Sequence, residues 1–161
     1  MFFRILVLLP FVSLAISKSL VNSSFDDFCT ALDILAGKLK QIGFVLVITE
    51  QADSDIKYAT NACPTMALPE DQAKLVLAKF KVLNSLVGIA HDCAINSRAQ
   101  VAEVGLMPEV VPVIKSVKED CNNLVTKTLK CTPGGLYSSM TAEGAAINKA
   151  LQEVADAYTA K

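Results

Sequence analysis

The segment that most constrains the fold is GLMPEVVPVIKSVKEDCNNLVTKTL, running from Gly105 to Leu129. It carries both end signals of a single amphipathic helix. Gly105 suits the left-handed residue that closes a preceding helix, and Pro108 suits the first turn of the next. Val110, Val113, Ile114, Val117, Cys121, Leu124 and Thr128 recur at helical spacing on one side, while Lys115, Lys118, Glu119, Asn122 and Lys127 take the other.

Four further segments read the same way. Helix one starts near Ser24, with Asp26 and Asp27 in its first turn and a stripe of Phe28, Leu32, Leu35, Leu39 and Ile42. Gly43 marks a break. Helix two places Val45, Ile48, Ala52, Ile56, Ala59 and Cys63 on one face and ends at Pro64; its FVLVI opening is ambiguous by period alone, but helix on both sides favours helix. After the turn PTMALP, helix three opens at Pro69-Glu70-Asp71 and runs to Gly105. Its stripe is Leu75, Val82, Leu86, Ile89 and Cys93, widened by Leu83 and Val87. Thr132-Pro133-Gly134-Gly135 reads as a loop, and helix five covers about 138–159 with Ile147, Leu151, Val154 and Tyr158 inward. The expected fold is all-α, an up-and-down bundle of about five helices with disulfides.

Residues 1–17 read as a secretory signal peptide: Arg4, an apolar run from Ile5 to Val12, and the small-x-small site Ala15-Ile16-Ser17. Pro10 interrupts a run already shorter than the ~20 residues that span a bilayer, so no transmembrane segment is expected. Residues 18–161 then form a single helical-bundle domain, extracellular or in a cell wall. Asn22-Ser23-Ser24 is a glycosylation sequon.

Formal charge is −1, with lysines and acids interleaved throughout. That leaves no basic face for nucleic acid and no polybasic patch for anionic lipid. The five cysteines are widely spaced with no C-x-x-C pair, so disulfides are a better reading than zinc or dithiol redox chemistry. Folding back at Gly105 would set position 93 beside about 118, which favours Cys93–Cys121. One more bridge is expected among Cys29, Cys63 and Cys131, with the leftover cysteine undecided.

Little remains that could catalyse a reaction. His91 is the only histidine, and the paired acids sit where solvated helix faces and N-termini explain them. No phosphate loop, nucleophile elbow or metal motif is present, and no cofactor is implied. What stands out is apolar content, 52 % of residues with no Trp. Helices that part enough to admit an acyl chain, or that spread onto an apolar surface, would use it; a fully packed core would use it as well.

Three stretches then carry a resemblance: LPEDQAKLVLAKFKVLNSLV, VAEVGLMPEVVPVIKSVKEDCNNLVTKTL and the Ala-rich closing helix GAAINKALQEVADAY. Their order, with the Gly-Leu-x-Pro turn between long helices, resembles the fungal hydrophobic surface-binding protein A family, which includes cell-wall galactomannoproteins. DDFCTALDILAGKLKQI fits more loosely. The sequence departs from the family pattern in its five cysteines and in Lys130-Cys131-Thr132-Pro133, where Lys-Ala-Pro is usual.

The resemblance implies a secreted, non-catalytic bundle that binds apolar surfaces or a fatty acid, with a secreted esterase as a partner. Leu83, Leu86, Val87, Val113, Ile114, Val117, Ile147 and Leu151 would line a lipid cavity, and Asn84 or Ser85 would meet the carboxylate. The competing readings are a secreted helical inhibitor of an extracellular enzyme and a structural wall glycoprotein. The long gap between Cys29 and Cys63 argues against the inhibitor, whose first disulfide staples a short hairpin.

Overall fold

The computed structural model describes residues 25–40 and 45–160. Expectations for residues 1–17, Asn22 and Gly43 lie outside them, as do those for the side chains of Leu35, Leu39, Ile42, Val45, Ile48 and Ala52. The described residues form five helices and no strand: α1 (Phe25–Lys40), α2 (Val45–Ala62), α3 (Glu70–Glu103), α4 (Met107–Cys131) and α5 (Gly134–Thr159).

Local chemistry sets the ends. α2 stops just before Cys63-Pro64 and α4 just before Thr132-Pro133, because a following proline drives the preceding residue out of helical conformation. Thr132 is accordingly extended, with φ −83° and ψ 125°. α3 closes at Gly105, which holds φ 75°. The Gly105 N–H donates to the Ala102 carbonyl at 3.1 Å and the Leu106 N–H to the Val101 carbonyl at 3.0 Å, the paired bonds of a Schellman cap. Leu106 packs against the apolar cluster that contains Val101, completing that cap's usual hydrophobic contact.

One expectation about the elements needs correction, and one proline needs an explanation. α5 begins at Gly134, not near Ser138: Pro133 flanks the helix and its carbonyl accepts from the Leu136 N–H at 2.9 Å, so both glycines join the first turn. In α4, Pro112 sits inside the helix on an exposed position, where the missing N–H leaves a carbonyl facing water rather than core.

The helices close into a ring in the order α1–α2–α4–α5–α3, with α2 and α3 touching only slightly across it. α5 therefore lies between α3 and α4. The register argument that set Cys93 beside Cys121 assumed that α3 and α4 run side by side, and the ring removes that assumption. Cys93 instead neighbours Tyr158 of α5, and Cys121 is buried beside Leu124 and Val125 of its own helix's inner face. All five cysteines are thiols in this structure.

Polar contacts mark most of the seams. Lys79 of α3 pairs with Asp33 of α1. The Ser116 hydroxyl of α4 donates to Asp53 of α2 at 2.8 Å, Asn148 of α5 donates to Asn122 of α4 at 3.2 Å, and Asn84 of α3 donates to Glu143 of α5 at 2.8 Å.

Candidate functional site

The interior of this ring is not one continuous core among the described residues. A broad cluster fills one end, built on Phe28 and Leu32 of α1, Ile56 and Ala59 of α2, Val76, Phe80, Leu83 and Val87 of α3, Leu124 of α4, and Met140 and Ile147 of α5. A second, smaller cluster sits at the Gly105 end and joins Val101, Val110, Ile114, Val154, Ala155 and Tyr158 from α3, α4 and α5.

Helix length explains the division. α1 has 16 residues and α2 has 18, against 34 in α3. At 1.5 Å per residue the two short helices flank only about half of α3's ~51 Å. From Val87 to Val101, a rise of about 21 Å, α3 has no fully buried residue. That span presents partly buried and exposed positions instead.

The residues expected to line a cavity fall on either side of this division. Leu83, Val87 and Ile147 belong to the broad cluster, with Val117 and Leu151 partly buried against it. Ile114 belongs to the far cluster. Leu86 is 8 % exposed yet belongs to neither, and Val113 is half-buried on α4 at the level of Val110 and Ile114. These eight residues are therefore divided between the clusters and are not packed into one body.

The stripe assigned to α3 requires correction. Leu75, Val82 and Ile89 are 47 %, 46 % and 61 % exposed, and the inward face is Ala73, Val76, Leu77, Phe80, Leu83, Leu86 and Val87. The sequence held a signal for this face: Phe80, the bulkiest side chain of the helix, lies at helical spacing from Val76, Leu83 and Val87.

The polar rim also differs from expectation. Asn84 is already engaged with Glu143, and Ser85 is exposed. Hydrogen bonds tie the Gly105 half of α3 to the C-terminal end of α5: the Tyr158 hydroxyl donates to the Ala94 carbonyl at 2.9 Å, and Arg98 donates to the Ala157 and Ala160 carbonyls. Burial pushes the Tyr158 phenol up from its ordinary value. The ring nitrogens of His91 face Asp92 at 3.0 Å and Glu153 at 3.1 Å.

A separate groove runs between α2 and α4, lined by Lys57, Thr60, Asn61, Asp120, Asn123, Thr126, Lys127 and Lys130. All eight lining residues are of polar or charged types. At its edge Asp53 and Asp120 share Lys57, and Ser116 reaches both. Burial alone would lift the Asp53 carboxyl, but hydrogen bonds from Lys57 and Ser116 outweigh it and hold the group below the usual carboxylate value. Asp120 goes the other way, raised first by burial and then by Asp53. Among the described residues no three His, Cys, Asp or Glu side chains gather to hold a metal ion, and no helix is long and apolar enough to cross a membrane.

No protein-family profile and no curated protein matches the chain in sequence. Solved structures do match its fold. Ligand-binding domain 2 of the Penicillium marneffei MP1 protein, complexed with multiple arachidonic acids, superposes with a TM-score of 0.68 at 12 % identity, over 85 % of this chain and 92 % of that one. AFMP4P in complex with palmitic acid gives 0.66 at 17 % identity, over 84 % and 95 %. Ligand-binding domain 1 of MP1, complexed with arachidonic acids, gives 0.61 at 14 % identity, over 84 % and 94 %. The five-helix ring is thus similar in fold to domains solved with fatty acids bound.

Proposed function

We propose that this chain is a secreted, non-catalytic protein that holds a fatty-acid-like ligand between its helices. The observation that carries the reading is the interrupted apolar core, found in a ring whose fold matches three structures solved in complex with arachidonic or palmitic acid. The acyl chain lies along the span of α3 between Val87 and Val101, against Leu86, Val113, Val117 and Leu151. Burying about fourteen methylenes contributes about 11 kcal/mol. Subtracting an association cost of at least ~4 kcal/mol leaves affinity in the micromolar range.

Presentation at an apolar surface belongs to the same reading. Leu75, Val82 and Ile89 repeat every seventh residue along the outer face of α3 and are exposed. Such a stripe suits adsorption to a hydrophobic surface, where a secreted esterase would be the protein partner that the family resemblance implies.

Displacement of a fluorescent fatty-acid analogue by palmitate tests the binding. Saturable uptake with a micromolar displacement constant supports the proposal. An analogue that stays dark in excess protein contradicts it. Export is tested separately, by sequencing the N-terminus of protein recovered from the medium, which should begin near Lys18.

A further inference from the structure

Two buried thiols meet at one end of the ring. Cys63 follows the last turn of α2 and Cys131 ends α4; their sulfurs are 3.9 Å apart, across 68 positions of sequence. Cys131 is fully buried and Cys63 is 5 % exposed. The surrounding backbone fixes the approach, because the Leu68 N–H, in the turn that follows Cys63, donates to the Cys131 carbonyl at 2.8 Å.

We infer that Cys63 and Cys131 form a disulfide that ties α2 to α4, leaving Cys29, Cys93 and Cys121 as thiols. Closing the sulfurs from 3.9 Å to a bond of about 2.0 Å asks for a short approach shared by two side chains. The Cys131 thiol now donates to the Thr128 carbonyl at 3.1 Å, but that carbonyl also accepts from the Thr132 hydroxyl at 2.7 Å. Oxidation of Cys131 therefore orphans no buried acceptor.

The other candidates are placed elsewhere. Cys29 is surrounded by Lys79, Asp33 and Asp26 at the α1–α3 seam, on another side of the ring from the α2–α4 seam. Cys93 neighbours Tyr158. Cys121 is buried beside Asp120, which helps burial push its thiol up to about 12. No third metal-binding side chain joins the pair among the described residues, so a metal clip is not the alternative.

The reaction is thiol–disulfide exchange with a small disulfide such as oxidised glutathione. One cysteine thiolate attacks a sulfur of the oxidant and expels one glutathione thiolate, forming a mixed disulfide. The second cysteine thiolate then attacks the protein sulfur of that mixed disulfide and expels the other glutathione. The protein loses two protons and two electrons, and the oxidant becomes two thiols. Because Cys131 is sealed in the folded protein, exchange takes place before the end of α4 docks.

The test is to reduce and unfold the protein, refold it in mixed reduced and oxidised glutathione, quench with acid and alkylate. Tryptic digestion without reduction should yield Tyr58–Lys74 joined to Cys131–Lys149, lighter than the two free peptides by two hydrogen atoms. The joined species should vanish on reduction and in Cys63→Ser. Recovery of both peptides alkylated at their thiols, or of either joined to the Cys29 peptide, would overturn the inference. The refolding buffer supplies the oxidant directly, so this result stands apart from export and from lipid binding.

Discussion

Gly144 shows how closely two helices meet in this ring. A Cβ built there would lie 2.4 Å from Cγ1 of Val125, across the α4–α5 seam. Valine is stiff at χ1 and this one is buried, so it has little room to yield. Alanine is worth up to ~1 kcal/mol over glycine inside a helix. Overpacking costs about 1–3 kcal/mol and wins here. Gly144→Ala should lower stability by about 1–2 kcal/mol in a denaturant titration. Adding Val125→Ala should make the alanine at 144 neutral or favourable, and a stable single variant would show that the contact is looser than described.

The Asp53–Asp120 pair gives a second residue-scale expectation, with opposite signs for chemically equal changes. Asp53 has a lowered folded value, so its contribution is present above the unfolded value and is lost as pH falls through the folded one. Asp120 has a raised folded value, so the folded state gains on protonation as pH falls through it. At neutral pH Asp120→Asn should be neutral or stabilising, and it should remove the gain seen on mild acidification. Asp53→Asn should destabilise, because it removes the charge that faces Lys57 and leaves one acceptor oxygen where Lys57 and Ser116 now use two. Equal losses from the two variants in thermal melts across that pH range would refute the assignment.

At the scale of elements, α3 separates what its own sequence could and could not tell. Its span, both ends and the glycine cap were legible, because proline, acids and Gly105 act locally. Its facing was not. Leu75, Val82 and Ile89 satisfy the helical period as well as Val76, Phe80, Leu83 and Val87 do, and only the position of α1 and α5 decides between them. α4 and α5 were easier because each has one apolar side; of their expected inward residues Val110, Ile114, Cys121, Leu124, Thr128, Ile147, Val154 and Tyr158 are buried. The start of α5 was missed because Pro133-Gly134-Gly135 reads as a turn until the packed helix recruits its glycines. The facing of α3 is directly checkable. Phe80→Ala should cost about 3–5 kcal/mol, whereas Val82→Lys should stay within about 0.5 kcal/mol. The reverse order would put the stripe back where the sequence suggested it.

For the whole molecule, ring order matters more than helix count. Five helices were legible from five stripes, but the neighbour relations were not, since nothing local says that α5 lies between α3 and α4. That one relation separates Cys93 from Cys121 and leaves α3's upper half packed by α5 without α1 or α2. The short α1 and α2 leave the described core in two clusters. α3 thus outruns both α1 and α2, and its Gly105 half is packed by α4 and α5 alone.

The most direct test of this account is native mass spectrometry of the folded protein with palmitate, beside Leu86→Asp of equal helicity. Leu86 is buried outside both clusters, so a charge there should spoil the ligand's place while sparing the packed ends. The parent protein should carry a stoichiometric palmitate adduct, and the variant should bind palmitate at least tenfold more weakly. A bare mass for the parent protein in excess palmitate, or equal uptake by both proteins, would contradict it.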